Sequence, residues 1–491
     1  MQVNILNILL ISTLVIALPI IHWMKGAYLR DMNPTAARVL KNWLMFIVAI
    51  LLLRALVGTL FMVGGFSHWS VQKFYPIRIA YPNYGILGGL PYVVIGFGIL
   101  VYLRDICNFT ASSPSRYVLL AAFSIVLSVT YGGIHGGLIT GNIGVAGGSN
   151  HIHDASLNAT VAETFSTHSD RIAGQIEPGY KAAHTLSHPA GSLAYWQFMT
   201  RAVSPVVFSL VNVVILSFAF PVMYWALRRH HPDKDAIQVV IGCMVTPAIL
   251  VYGRSDDAIY YAFAAVIMAI SYISIKEKRY LLTLATSVLL AVAMNISYAS
   301  FILLPALMSF NGNEQLRKIW THLRRVAPHA LMIIAAVIIM IGATQKYSGY
   351  RYVDSFLASV KHNSGTNIVH MLNNGHYWTV LNDRIMTISD ILLFGGPLFL
   401  YIFYVLLIRA DWNIRGWHIR NMALAVLALV LMINSNGPGE ISRPWGSVYL
   451  IVGFIWFVEI LARESEATRW WMLRAQLLWA LALQIPLNFA W

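Results

Sequence analysis

Many separate runs of roughly 16 to 22 apolar residues, split by short polar breaks, limit this chain more than any motif in it. A helix of that length crosses the hydrocarbon layer of a bilayer. Inside lipid every backbone N–H and C=O must find a partner within the protein, which leaves helices and closed barrels. No stretch alternates apolar and polar residues as barrel strands do. The expected fold is therefore all-α, a polytopic transmembrane helical protein of about 13 or 14 spans. A chain of 491 residues with 58% hydrophobic and only 11% charged residues has no place among soluble globular proteins. The mean hydropathy of +0.65 says the same.

The spans fall near 4–24, 42–64, 83–103, 117–133, 202–226, 236–252, 258–275, 280–294, 296–309, 328–345, 388–408, 421–434, 445–462 and 470–489. The pair within 280–309 is short and reads either as two spans or as one long kinked helix. Loop charge arbitrates. With two spans, alternate loops carry Lys25, Arg30, Arg38, Lys41; Arg104, Arg116; Arg228, Arg229, Lys234; Lys276, Lys278, Arg279; Arg317, Lys318, Arg324, Arg325; Arg409, Arg415, Arg420; and Arg463, Arg469, Arg474. These are 22 of the 34 Lys and Arg, all on one side. The positive-inside rule makes that side cytoplasmic and puts both termini outside. The formal net charge of +14 follows from these loops and is no signal for nucleic acid.

The chain then divides into N-terminal transmembrane helices (1–133), an extracytoplasmic catalytic loop (134–201) and a second transmembrane domain (202–491). The last carries the outer loops 252–257, 346–387 and 434–445. The first apolar run lacks a basic leader and a clear cleavage site, so it reads as a retained span. Cys107 at a membrane edge and Cys243 within a span suggest neither a disulfide framework nor a metal site.

The loop 134–201 holds His135, His151, His153, Asp154, Glu163, His168, Asp170, Glu177, His184 and His188 among many glycines. Long loops in compact proteins are commonly functional, and acids with histidines suit proton transfer near neutral pH. Asp170, between His168 and Arg171, is the first candidate for a general base toward a hydroxyl, and Asp154 the second. The plainer reading makes each a solvated loop acid. His188-Pro189-Ala190-Gly191, preceded by Lys181 and His184, marks a turn at the membrane surface, where a histidine would face an anion or serve as a hydrogen-bonded junction. His151, His153, Asp154 and Glu163 would suit a divalent metal, but their spacing fits no established ligand signature. No cofactor is therefore expected, with a divalent metal as the lesser alternative.

Three further groups face the same side. Arg254, Asp256 and Asp257 crowd a tight turn that either pairs internally or lines a cavity. Glu440 and Arg443 in GPGEISRPW lie at interface depth, where an arginine takes a phosphate or simply its neighbouring acid. Arg351, Lys361, His362, His370, His376 and Arg384 add positive charge to 346–387 and read equally as ordinary loop residues. Arg54 lies inside the second span and has no evident partner.

With HPAG at 188–191, an acid-bearing outer loop, a late outer GE-x-x-R at Glu440 and Arg443, and the pair NISYASFILLPAL at 295–307, the chain resembles the C superfamily of integral-membrane glycosyltransferases. The resemblance implies inverting transfer of a hexose or pentose from a polyprenyl-phosphate sugar to a glycan, lipid or protein acceptor. It implies Asp170 as base with Asp154 in reserve. His188 and Arg443 would lie on the phosphate side, and Glu440 would orient Arg443 or a sugar hydroxyl. His184, Lys181, Arg254, Asp256 and Asp257 complete the expected substrate-binding set. In most members the acidic loop follows the first span, whereas about four precede it here, and the usual paired prolines are Pro-Ala. The expected setting is the bacterial inner (plasma) membrane, among membrane lipid, with an extracytoplasmic active face and no nucleic-acid partner. An envelope polysaccharide polymerase or ligase using a lipid-diphosphate glycan is the first rival. A transporter or flippase is the second, though it would place acids at mid-membrane rather than in outer loops.

Overall fold

The computed structural model describes residues 85–139, 160–172, 188–255, 257–298, 319–363, 391–402 and 464–485, with isolated positions and the short pieces 81–82, 453–457 and 487–488. In chain order the helices are α1 (Ile86–Ser112), α2 (Arg116–Gly133), α3 (Val161–Ile172), α4 (Ala190–Ala202), α5 (Pro205–Leu227), α6 (Asp233–Met244), α7 (Pro247–Tyr252), α8 (Asp257–Glu277), α9 (Tyr280–Ile296), α10 (Ile319–Ser348), α11 (Tyr352–Asn363), α12 (Ile391–Ile402) and α13 (Glu466–Gln484). A π-helical turn occupies Gly453–Phe457. The only extended pairing among the described residues is two residues long, β1 (Tyr81–Pro82) against β2 (Leu487–Asn488), antiparallel.

Among the described residues five helices are long and apolar enough to cross a membrane: α1, α2, the Val207–Leu227 part of α5, α8, and the Ala327–Ser348 part of α10. The protein is a helical membrane protein. Helix α8 is central and buried along most of its length, packed between α5 and α9. Helix α1 lies at the edge and bares Leu87, Val94, Val101 and Phe109. Small hydroxyl side chains tie neighbours together where backbones approach closely: Ser217 donates to Ser124 at 3.0 Å, and Ser271 to Thr286 at 3.3 Å.

Within 280–309 the described residues show one helix that ends early. Helix α9 stops at Ile296, because Ser297 is extended (φ −146°, ψ 128°). Thr283 and Tyr280, at the start of α9, meet His329 of α10, and Tyr298 just past its end meets Tyr350 just past the end of α10. The two helices therefore run in the same direction, and most of the expected 296–309 span between them lies outside the described residues.

Two expectations need correction. The span expected at 236–252 is broken: α6 ends at Met244 and α7 begins at Pro247. Pro247 has no N–H to continue the ladder, and the Thr246 hydroxyl turns back to the Gly242 carbonyl at 3.0 Å. The loop 134–201 is also not structureless to its end, since it contains α3 and all but the last residue of α4. The chain becomes helical at Ala190, once Pro189 has fixed φ at −68°, and restarts as α5 after Ser204 and Pro205. The expected spans 4–24 and 421–434 lie outside the described residues, as do nearly all of 42–64 and much of 296–309 and 445–462.

The connections between the described helices sort to two ends. One end, the basic end, collects Arg104, Arg116, Arg228, Arg229, Lys234, Arg279 and Arg469 with Asp233, Asp235, Glu277 and Glu466. The other, the loop end, collects α3, the start of α4, the Tyr252–Asp257 turn, Tyr298 and the α10–α11 turn.

Candidate functional site

At the loop end, α3 is the short helix that carries Asp170. Thr160 caps it, its hydroxyl accepting the Glu163 N–H at 3.1 Å. Residues three to five apart then turn one face inward, and Thr164, His168, Ser169, Arg171 and Ile172 are buried. Thr164 donates to the Gln197 side-chain oxygen on α4 at 3.0 Å. Ser169 links α3 to α11: its hydroxyl lies 2.8 Å from that of Ser355 and accepts the Arg351 N–H at 3.2 Å. Arg171 turns back toward Glu163 at 3.9 Å.

His168 is the joint between α3 and the HPAG turn. Its Nε2 donates to the His188 carbonyl at 3.0 Å, which fixes the Nε2–H tautomer. The ring is 1% exposed and meets Tyr350 edge-on at 5.6 Å. Burial, with the nearby Arg171 charge, lowers its pKa to about 4, so the imidazole is neutral near pH 7. Tyr350 follows Gly349, whose φ of +73° makes the turn out of α10. Burial pushes the Tyr350 phenol up to about 12 and holds Tyr352 above its usual range.

HPAG itself packs tightly. A Cβ on Gly191 would stand 2.2 Å from the Asn295 carbonyl oxygen at the end of α9. Glycine is required there by the close approach of two backbones. The His188 ring lies half-buried, edge-on to Trp196 at 5.5 Å. Along α4, Tyr195 donates to Asn212 of α5 at 2.5 Å, and one turn earlier on α5 Ser209 donates to the Arg254 carbonyl at 3.3 Å.

The expected site residues separate as follows. Asp170 is partly exposed and ion-paired with Arg351, which also approaches Asp354 at 3.7 Å. His188 lies beside the same group through His168. Arg254 does not project from its turn. It is the bulkiest of the fully buried side chains among the described residues. Asp257 begins α8, its carboxylate accepting from the Ser255 hydroxyl at 3.2 Å. Asp154, His184, Lys181, Asp256, Glu440 and Arg443 lie outside the described residues, as do His151, His153 and Arg54. Among the described residues no three His, Cys, Asp or Glu side chains gather closely enough to hold a metal ion.

Arg351 is the residue that sequence reasoning undervalued. It stands 181 positions from Asp170, and no spacing rule connects them. The one local signal was its place just past Gly349, where a long apolar helix ends.

Fold and site together define a helical membrane protein in which an acid-bearing loop helix is pinned at the end opposite the basic loops. No family model, curated protein or solved structure matches the chain.

Proposed function

We propose that the protein is an extracytoplasmic glycosyltransferase of the C-superfamily type, moving a sugar from a polyprenyl-phosphate donor to a hydroxyl of a glycan, lipid or protein. The observation that carries this reading is the Asp170–Arg351 pair, partly exposed on a platform made by α3, α4 and α11. With the basic end in the cytoplasm, that platform faces outward.

A carboxylate and a guanidinium at one spot supply both halves of inverting transfer. The arriving donor phosphate competes for Arg351, which has a second carboxylate, Asp354, within 3.7 Å to share its charge. Asp170, released, accepts the acceptor hydroxyl proton as that oxygen attacks the anomeric carbon. The bond between the anomeric carbon and the phosphate oxygen breaks, and the polyprenyl phosphate leaves with its charge against Arg351. His188, held at the entrance of α4, contributes a further donor. Arg443 and Glu440 remain the phosphate-side candidates that the resemblance implies.

The test uses purified full-length protein in nanodiscs with a panel of polyprenyl-phosphate sugars, following release of polyprenyl phosphate. Asp170→Asn is expected to lower the rate about 10²- to 10⁴-fold, the size of a lost general base. Arg351→Gln is expected to lower it about 10²-fold or more. Release by wild type that Asp170→Asn leaves unchanged would move the base to Asp154. Binding of donors without release by wild type would overturn the transferase reading in favour of a polymerase or ligase.

A further inference from the structure

We propose that the seam between α1 and α13 at the basic end is a binding site for the phosphate of an anionic phospholipid. The inference needs only the membrane setting and is independent of the transfer reaction above.

Three cations lie along that seam, two of them on one carboxylate. Arg104 of α1 and Lys234 of α6 end on the same oxygen, Glu466 Oε1, at 3.1 and 2.9 Å. Trp470 Nε1 donates to that oxygen as well, at 3.3 Å. These contacts hold the Glu466 carboxyl below its usual range, the Lys234 hydrogen bond first among them. One carboxylate is thus already shared by two cations.

The third cation has no acid. Arg474 stands eight residues further along α13, about 12 Å from Glu466 along the helix axis. Its Nη2 donates to the Val101 carbonyl on α1 at 3.1 Å, its guanidinium lies 5.8 Å from the Trp471 ring centre, and its Nε is buried without a partner. No carboxylate among the described residues pairs with it. A charged group this far along an apolar helix needs an anion or a path to water. Asp105, one position past Arg104, is turned about 100° round α1.

The surface beside these cations is apolar and bare. Val101, Tyr102 and Phe109 of α1 are 61%, 62% and 64% exposed, and Arg104 and Lys234 are themselves accessible. A phospholipid matches both parts, its phosphate meeting Arg474 within the field of Arg104 and Lys234 while its acyl chains cover α1. Zwitterionic lipid carries its own cation and gains less from this field, so selectivity for anionic headgroups follows.

The experiment is native mass spectrometry of the full-length protein, stripped of lipid in mild detergent and then offered phosphatidylglycerol or phosphatidylcholine. Phosphatidylglycerol is expected to be retained about tenfold more. Arg104→Gln and Lys234→Gln, both at the surface, are each expected to weaken that retention about fivefold, and Arg474→Gln at least as much, with Arg474→Lys restoring part of it. Equal retention of the two lipids, or wild-type retention by Arg104→Gln and Lys234→Gln, would overturn the site. Displacement of phosphatidylglycerol by millimolar inorganic phosphate would assign the seam to a free anion and overturn the lipid.

Discussion

The two ends of the bundle are held by different chemistry. At the basic end the joins are ionic and partly exposed. Glu277 takes Arg229 at 2.6 Å and Arg279 at 2.7 Å, while Asp235 takes Arg469 at 2.6 Å and Asp233 takes Arg116 and Arg228. At the loop end, among the described residues, the ionic contacts are Asp170 and Asp354 with Arg351 and Glu163 with Arg171. The remainder is neutral and buried: Thr164 with Gln197, His168 with the His188 carbonyl, Ser169 with Ser355, and the tyrosines around Tyr350. Exposed ion pairs are weak and exchange with water, whereas breaking a buried hydrogen bond strands its partner at a cost of about 1 to 3 kcal/mol. The basic end is therefore a forgiving clamp. The loop end is a stiff platform whose accessible charges include the Asp170–Arg351 pair, with Asp354 and Glu163 beside it.

The sharpest way to break this comparison is at Gly191. A side chain there runs into backbone, the Asn295 carbonyl at 2.2 Å, which no rotamer change relieves. Gly191→Val is expected to destabilise the protein by more than about 3 kcal/mol, read as thermal unfolding in mild detergent. Gly98 on α1 has nothing within 4 Å of its would-be Cβ, so Gly98→Ala is expected to gain about 0.5 to 1 kcal/mol. Similar behaviour of the two variants would mean that α4 is not pressed onto α9.

The next effect is a pH dependence at the loop end. The His168 pKa lies at about 4 in the folded protein, lowered from its ordinary 6.5 chiefly by burial. Between those values the unfolded chain binds a proton that the native protein does not. Stability from the buried neutral ring is thus complete above pH 6.5 and is lost as pH falls toward 4. The loss amounts to roughly 3 kcal/mol at most. His168→Gln, which keeps a donor for the His188 carbonyl, is expected to flatten the stability curve over that window. Parallel curves for the two proteins would show that His168 is charged or solvated in the native state.

How much of this was legible in the chain follows from the range of each interaction. Apolar run length placed α1, α2, α5, α8, α9 and α13 because crossing a bilayer is a one-dimensional requirement. The sorting of arginines and lysines to alternate loops foretold the basic end for the same reason. Helices α3 and α4 were missed because neither is a span. Helix α3 forms because Thr160 caps it and its buried polar face finds partners on α4 and α11, tertiary facts that no periodicity announces. The break at Pro247 was readable as a proline within an apolar run, yet run length alone masked it. HPAG looked like a candidate site, and its glycine turns out to have a packing reason. The Arg351 partner of Asp170 could not be found from spacing, since it lies 181 positions further along the chain.

The smallest predicted effects are also the ones that separate the two ends most cleanly, because salt reaches one kind of contact and not the other. Glu277→Gln removes the shared partner of Arg229 and Arg279. With side chains partly in water, the expected cost is only about 0.5 to 1 kcal/mol at low ionic strength. At 1 M salt the Debye length falls to about 3 Å, and that cost is expected to shrink toward zero. Ser169→Ala removes a buried hydroxyl from between Ser355 and the Arg351 backbone, at an expected cost of about 1 to 2 kcal/mol. Ions do not enter that contact, so its cost is expected to be the same at both salt concentrations. Chemical unfolding with urea, which adds no ionic strength of its own, reads both variants on one scale. A salt-sensitive Ser169→Ala would mean that the loop end owes its order to the Asp170–Arg351 pair rather than to the neutral contacts beneath it. In that event α3 would loosen whenever a phosphate drew Arg351 away, and release of Asp170 would be coupled to movement of the whole helix.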